Sequence, residues 1–228
     1  MGKNDNGNNG RTELVFVVDR SGSMGGLESD TIGGFNSMLS KQRTIAGECR
    51  VTTLLFDHRI ETLHNHLDIR EVNDLTSRDY WVRGSTALLD AIGLAIDRMI
   101  VTQRHTVAAY RAQHVLFVII TDGYENAGRR YSLHQIKQMI TYERERYHWE
   151  FVFLGANIDA EQTAGDFGIS PRCATDFHAD GQGIKASFEA VACAATAVRG
   201  GADLEDLNAP DFLGGVRDDY RSRRRMKR

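Results

Sequence analysis

Five oxygen-bearing side chains in three short segments could together hold a metal ion. The segment DRSGSM supplies Asp19, Ser21 and Ser23 directly after an apolar run. GSTALLDAI supplies Thr86, and TDG supplies Asp122. A carboxylate at the end of a buried strand costs desolvation energy unless a hydrogen bond or a positive charge compensates for it. Two carboxylates and three hydroxyls, without histidine or thiolate, are hard donors that suit Mg²⁺ better than zinc or copper.

Three apolar runs predict the buried strands that position these segments. The runs are short, continuous and rich in β-branched and aromatic residues, which is typical of parallel strands covered on both faces. They lie at residues 14–18, 115–120 and 151–156, and residues 50–56 form a further strand-like run. Ligands of open α/β sheets bind beyond the carboxyl ends of the strands, near the point where the strand order reverses. We therefore expect Asp19 and Asp122 to share one crevice, with Thr86 brought to the same rim at a helix start.

The remaining patterns predict a doubly wound, Rossmann-like α/β fold with a mostly parallel six-stranded sheet and helices on both faces. Residues 59–67 alternate in polarity after a two-residue break, which predicts a hairpin and one antiparallel edge strand. Spacings of three and four residues predict helices around residues 32–39, 88–99 and 184–198. Ser132 followed by Gln135 resembles a capping box that opens a further helix.

Length and composition favour one folded domain with polar ends. The chain has 228 residues, 41% of them hydrophobic, and a formal net charge of −3, which supports one sizeable core. We expect a disordered N-terminus over 1–12, a domain over 13–200 and a flexible tail over 201–228. The tail ends in RSRRRMKR, which could contact nucleic acid. Because such charge runs are usually disordered, a solvated end is the favoured interpretation.

The sequence offers no signal for a membrane or for secretion. Its apolar runs are shorter than the roughly 20 residues that a membrane-spanning helix needs, and the first ten residues lack the hydrophobic stretch of a signal peptide. The cysteines Cys49, Cys173 and Cys193 are odd in number and widely spaced, so we interpret them as reduced thiols. These features predict a soluble, cytoplasmic protein.

The three oxygen-rich segments together resemble the metal-ion-dependent adhesion site (MIDAS) of von Willebrand factor type A (VWA) domains. DRSGSM, the threonine of GSTALLDAI and the aspartate of TDG occur in the order that the family has, and the resemblance covers residues 13 to about 200. Each segment alone is equally typical of a turn or a helix cap. Without a signal peptide, a disulfide or an anchor, the chain looks most like intracellular bacterial or phage members.

The resemblance implies a ligand set and a function. Ser21, Ser23 and Thr86 would coordinate Mg²⁺, or Mn²⁺, directly or nearly so, and Asp19 and Asp122 would hold the ion mainly through water. Members of the family bind proteins, often through an Asp or Glu of the partner that completes the coordination sphere. The implied function is therefore a metal-dependent protein-binding module and not an enzyme.

Two other functions stay open at this point. The same oxygen ligands could serve a Mg²⁺-dependent enzyme acting on phosphate esters, although the sequence has no Asp-x-Asp pair, no receiver-type acidic pair and no phosphate loop. A scaffolding domain with a purely structural metal is the other alternative. His64 and His66 could hold a transition metal, but no third ligand is in view, and an exposed edge strand is the favoured interpretation.

Overall fold

The computed structural model describes residues 10–226, with side chains through Arg224. Its strands are β1 Thr12–Asp19, β2 Cys49–Phe56, β3 Ile60–Asp68, β4 His114–Thr121, β5 Glu150–Ala156 and β6 Ala174–Phe177. They form one sheet in the order β3-β2-β1-β4-β5-β6. All neighbouring strands are parallel except β2 and β3, which are antiparallel. The predicted six-stranded doubly wound fold with one antiparallel edge strand is confirmed.

In the described residues, six α-helices surround the sheet. They are α1 Glu28–Arg43, α2 Leu88–His105, α3 Leu133–Tyr147, α4 Ala160–Asp166, α5 Gly181–Arg199 and α6 Gly214–Met226. Helix α1 packs against α5, and α2 packs against α3. The predicted capping box opens α3, because Gln135 N–H donates to Ser132 Oγ at 3.3 Å while Ser132 N–H donates to Gln135 Oε1 at 2.8 Å. Within the part of the chain that the structure describes, no helix is both long and apolar enough to span a membrane.

Strand β1 is central, and every one of its residues is buried. Phe16 of β1 packs on an aromatic ring of α1, which in turn packs on an aromatic ring of α5. The ring of Phe35 on α1 lies 5.3 Å from that of Phe16 on β1 and 6.2 Å from that of Phe188 on α5, centroid to centroid, in edge-on geometry. The carboxyl end of β1, which carries Asp19, is therefore fixed by the core.

The N-terminal boundary differs from the prediction of a disordered segment over residues 1–12. Residues 1–9 lie outside the described part of the chain. Thr12 already belongs to β1, is 2% exposed, and pairs with Cys49 of β2 and His114 of β4. The sequence did not indicate that β1 includes Thr12, because the strand begins with polar residues before the apolar run starts at Leu14.

The C-terminal segment corrects the prediction of a flexible tail over residues 201–228. Through residue 226 it is folded onto the body, with α6 packed against α5 and β6. Leu204, Leu213 and Val216 of this segment are buried. These apolar residues are too few and too widely spaced to form a periodic pattern, so the docking of the segment was not visible in the sequence.

Polar contacts also anchor α6. The guanidinium of Arg217 donates to the carbonyl oxygens of Pro171, Arg172 and Ala174, at 2.9–3.1 Å.

Arg223 from the basic run pairs with Asp180, the cap of α5, and with Asp219. The first part of the basic run is therefore engaged in intramolecular contacts, while residues 227 and 228 lie outside the described residues.

We expect Leu213→Ala to lower the free energy of unfolding by about 2–5 kcal/mol, the usual cost of truncating a buried leucine. Leu213 is 0% exposed, whereas Leu207 in the same segment is 86% exposed. Leu207→Ala is the matched control and should change stability by less than about 0.5 kcal/mol. Urea denaturation of the two variants measures the difference, and equal stabilities would mean that the segment is not docked in solution.

Candidate metal centre

The two predicted aspartate ligands lie at one edge of the sheet. Asp19 is the last residue of β1, and Asp122 directly follows β4. Because β1 and β4 are adjacent and parallel, their carboxyl ends meet where the strand order reverses. Asp19 is 0% exposed and Asp122 is 2% exposed. The crevice therefore brings two buried carboxylates together, as the sequence predicted.

The loop after β1 joins these carboxylates through a chain of hydrogen bonds. Ser21 N–H donates to Asp19 Oδ1 at 2.7 Å. Ser21 Oγ lies 2.9 Å from Ser23 Oγ, and Ser23 Oγ in turn donates to Asp122 Oδ1 at 2.5 Å. Alternate residues of this loop thus point their oxygens to the same side, which is the geometry that the spacing of Asp19, Ser21 and Ser23 requires.

Thr86 reaches the crevice from the segment before α2. Its N–H donates to Asn126 Oδ1 at 2.8 Å, and its carbonyl oxygen accepts from Asn126 N–H at 3.0 Å. A Cβ placed on Gly123 would lie 3.6 Å from both Thr86 Oγ1 and Ser23 Oγ. The structure therefore gathers all five predicted residues around one point, although their role as metal ligands stays a prediction.

The charges at this point are uncompensated. Burial raises the pKa of Asp122 to about 6, assisted by the nearby charge of Asp19 and opposed by the hydrogen bond from Ser23. Burial also raises the pKa of Asp19, against hydrogen bonds from Thr121 and Ser21. Among residues 10–224, no basic side chain makes an ion pair with either carboxylate.

One oxygen of Asp122 indicates that the crevice could hold a cation. Asp122 Oδ2 is buried and has no hydrogen-bond partner, and a buried polar atom without a partner costs about 1–3 kcal/mol, more when it is charged. A divalent cation would satisfy this atom and neutralise both carboxylates, and the surrounding oxygens are the donors that hard cations prefer. The residues present therefore fit the metal that the sequence predicts.

Sequence reasoning missed the residues that hold Asp19 in place. Thr121 Oγ1 donates to Asp19 Oδ2 at 2.6 Å, and Tyr80 OH donates to the carbonyl oxygen of Asp19 at 2.6 Å. A polar residue closing the apolar run of β4 was a visible signal for Thr121. Tyr80 had none, because its contact with Asp19 spans 61 residues of chain.

Glu125 and Asn126, two and three residues after the TDG segment, hold the start of α2 in place. Glu125 Oε2 accepts from Leu89 N–H at 2.7 Å, and Glu125 Oε1 accepts from Ala127 N–H at 2.7 Å. Together with the contacts of Asn126 to Thr86, these bonds tie the loop after β4 to the first turn of α2. They fix the position of the Thr86 hydroxyl relative to Asp122.

The two histidines of β3 form no second metal site. His64 is buried, with Nδ1 3.0 Å from Thr53 Oγ1, so the predicted exposed face is wrong at this residue. His66 lies where the β2–β3 register shifts, has φ 55°, and places Nδ1 2.7 Å from Glu13 Oε1. The described residues include no group of three or more histidine, cysteine, aspartate or glutamate side chains that could hold a metal.

No family model and no curated protein sequence matches the chain, but solved structures do. The first is proximal thread matrix protein 1 (PTMP1) of the mussel byssus, with a zinc-occupied MIDAS motif, at TM-score 0.57 and 16% identity over 82% of this chain and 46% of that one. The chain has a VWA-like fold. It spans about half the length of PTMP1.

Two further VWA-like neighbours come from unrelated organisms. Manganese-loaded TRAP protein of Plasmodium vivax has TM-score 0.51 and 16% identity over 78% of this chain and 72% of that one. The D319A mutant of the minor pilin PilB of Streptococcus sanguinis has TM-score 0.53 and 12% identity over 88% of this chain and 64% of that one. At these identities the likeness establishes the VWA-like fold alone. The intracellular bacterial or phage subtype and the cytoplasmic location stay predictions.

Proposed function

We propose that this VWA-like domain is a metal-dependent protein-binding module. Asp19, Ser21, Ser23, Thr86 and Asp122 hold Mg²⁺, with Mn²⁺ as a substitute, and an Asp or Glu of a protein partner completes the coordination sphere. One observation carries the proposal: a buried oxygen of Asp122 without a partner faces a crevice that holds two carboxylates, with which no basic side chain among residues 10–224 makes an ion pair. The metal-containing VWA-like neighbours support it.

The charge balance of the ligand set explains why a partner carboxylate would bind. Two aspartates neutralise one divalent ion, and the three hydroxyls are weak neutral donors, so the bound ion still attracts an acidic ligand. Mg²⁺ keeps several waters and prefers octahedral coordination, which leaves a position for an oxygen from outside. In a crevice of reduced dielectric, attraction between the ion and a carboxylate exceeds its value in bulk water.

The chemistry of the donors favours Mg²⁺ or Mn²⁺ as the resident ion. Carboxylate, hydroxyl and water oxygens suit magnesium, calcium and manganese, whereas zinc and copper favour imidazole and thiolate. Neither buried cysteine belongs to the crevice: Cys49 begins β2 and Cys173 precedes β6, at the opposite ends of the strands. We therefore expect magnesium to be the physiological ion.

Affinity capture from a native lysate tests the proposal. The wild-type protein and Asp19→Ala serve as baits, each in Mg²⁺ and in EDTA, and the captured proteins are identified by mass spectrometry. We expect a protein that is captured only by the wild type and only with Mg²⁺. Proteins captured equally in EDTA would contradict the proposal.

A parallel assay addresses the other functions. The purified protein is incubated with p-nitrophenyl phosphate and Mg²⁺, and we expect no turnover. Turnover that disappears in Asp19→Ala would establish the phosphate-ester enzyme instead. A metal that raises thermal stability but governs no partner complex would establish the structural-metal alternative.

A further inference from the structure

Asp57 directly follows β2 and is fully buried, yet it is none of the predicted metal ligands. Its Oδ2 accepts from Arg20 Nε at 3.2 Å and from Arg83 Nε at 2.7 Å. Its Oδ1 accepts from Arg59 N–H at 2.7 Å and lies 3.0 Å from His58 Nδ1. Asp57 is thus a buried carboxylate that accepts three hydrogen bonds and lies beside the imidazole of His58.

These contacts keep Asp57 ionised. Burial by itself would raise the pKa of Asp57, but hydrogen bonds from Arg83 and the Arg59 N–H, with the charges of Arg83 and Arg20, outweigh it and lower the pKa. The negative charge of Asp57 is therefore present throughout the neutral range, where it compensates the two guanidinium groups.

The two arginines belong to the two loops that carry the hydroxyl ligands. Arg20 lies between Asp19 and Ser21, and Arg83 lies in the segment that leads to Thr86. The Arg83 N–H also donates to the carbonyl oxygen of Arg20 at 2.9 Å. The carboxylate of Asp57 thus binds both loops, through Arg20, which is adjacent to Ser21, and through Arg83, which lies three residues before Thr86.

Backbone contacts join the same loops. Ala87 N–H donates to the carbonyl oxygen of Asp57 at 2.9 Å, and Gly22 N–H donates to that of Gly84 at 3.1 Å. Gly84 has φ +67°, and a Cβ there would lie 2.1 Å from His58 Nδ1, so glycine permits this close approach. The loops after β1, after β2 and before α2 therefore form one hydrogen-bonded unit with Asp57 at its centre.

We propose that Asp57 is a positioning residue of the metal centre, holding the loop of Ser21 and Ser23 and the segment of Thr86 at the spacing that lets their hydroxyls reach one ion. This inference rests on the proposed function, because it requires that the crevice binds a divalent cation. It assigns to Asp57 no contact with the metal.

Two physical effects give Asp57 this role. Arg20 is only 1% exposed, and its other acidic partner, Glu61, has a side chain that is 57% exposed. Without the charge of Asp57, the buried guanidinium would lose its buried partner, which is strongly destabilising. Arg20 would then move toward water and displace the backbone between Asp19 and Ser21.

The second effect is electrostatic. Asp57 is the buried counterion of both Arg20 and Arg83, whereas solvent screens the charge of Glu61, whose side chain is 57% exposed. Removing the charge of Asp57 leaves a net positive charge beside the crevice, which opposes the entry of a divalent cation. Both effects weaken metal binding, so they reinforce each other in a single substitution.

The test is the dissociation constant of Mn²⁺ for the full-length protein, measured by isothermal titration calorimetry and by the electron paramagnetic resonance signal of free Mn²⁺. Asp57→Asn keeps the shape of the side chain and removes its charge. Glu61→Gln removes the charge of the exposed partner of Arg20, and Leu213→Ala lowers stability far from the crevice. The dissociation constant of the folded protein would not move if Asp57 acted only on global stability.

We expect Asp57→Asn to weaken Mn²⁺ binding roughly 10- to 100-fold, the range found when a supporting residue of a metal site is lost. Glu61→Gln and Leu213→Ala should stay within about twofold of the wild type, a difference of about 0.4 kcal/mol. A folded Asp57→Asn variant within about twofold of the wild type would overturn the inference while leaving the proposed function standing.

Arg83→Gln keeps the inference testable if Asp57→Asn does not fold. The side chain of Arg83 is 29% exposed, so its loss is better tolerated, and the substitution removes the side-chain link between Asp57 and the Thr86 segment. Loss of the Arg83 charge by itself would favour entry of the cation, so the weaker Mn²⁺ binding that we expect in this variant reports the loss of positioning. Unchanged or tighter binding would overturn the inference. Wild-type protein without saturable Mn²⁺ binding would overturn the proposed function and the inference together.

Discussion

Asp19→Ala is expected to abolish Mg²⁺ binding, raising the dissociation constant by roughly 100-fold or more, equivalent to about 2.7 kcal/mol. The substitution removes one of the two carboxylates that neutralise the ion, and it also removes the acceptor of the Ser21 N–H and Thr121 Oγ1 hydrogen bonds. Calorimetric titration with Mg²⁺ measures the loss directly.

Variants that lose one neutral oxygen donor measure how much each hydroxyl contributes to Mg²⁺ affinity. Ser21→Ala and Thr86→Ala should each weaken Mg²⁺ binding by roughly tenfold, about 1.4 kcal/mol, because each removes one hydroxyl and no charge. Thr86→Ser, which keeps the hydroxyl, is the matched control for Thr86→Ala and should bind nearly as the wild type does. Asp19→Ala binding Mg²⁺ as tightly as the wild type would show that the crevice is not the metal site.

Thermal unfolding also compares Mg²⁺ binding by the wild type and by Asp19→Ala, and it needs no titration. A ligand that binds only the folded state stabilises it by about 2.7 kcal/mol at a concentration 100 times its dissociation constant. Mg²⁺ should therefore raise the melting temperature of the wild type and leave that of Asp19→Ala unchanged. A similar rise in both proteins would indicate binding elsewhere on the surface.

The second large effect is expected in the complex with the protein partner. Once the partner is identified, its complex should form with Mg²⁺ or Mn²⁺ and be lost in EDTA. Without the ion, the partner carboxylate has no cation in the crevice to coordinate. Changing one particular Asp or Glu of the partner to Asn or Gln should weaken the complex as strongly as EDTA does. Surface plasmon resonance in the two buffers measures both changes.

The control for this experiment is the metal-free protein itself. EDTA must leave the domain folded, which circular dichroism of the EDTA-treated protein establishes. A complex that is equally tight in Mg²⁺ and in EDTA would show that the partner binds another surface of the domain, and the proposed role of the metal would then be wrong.

The sequence predicted the sheet, and the meeting of Asp19 with Asp122 at one edge of it, because both depend on local patterns. The buried runs of β1 and β4 are long enough to be recognised, and a parallel sheet brings their carboxyl ends together, which placed Asp19 and Asp122 in one crevice. The location of β6 was not predicted, because Ala174–Phe177 is only four residues long and has no distinct apolar run.

Contacts between distant segments could not be predicted in this way. Asp57 is 37 residues from Arg20 and 26 from Arg83, and nothing in the local pattern of FDHRI indicates a buried ion pair. The docking of α6 depends on isolated apolar residues such as Leu213 and Val216. These residues stabilise the fold through the apolar surface that they bury, which the local sequence does not reveal. Such contacts follow from the assembled fold and not from periodicity.

Anomalous scattering from crystals grown with Mn²⁺ tests the central claim most directly. The account predicts a peak in the crevice, with the hydroxyl oxygens of Ser21, Ser23 and Thr86 near the ion at about 2.0–2.3 Å, or one water further away, and with Asp122 Oδ2 facing it. Protein that binds Mn²⁺ in solution but shows its peak at another place, with Asp122 Oδ2 still without a partner, would contradict the account.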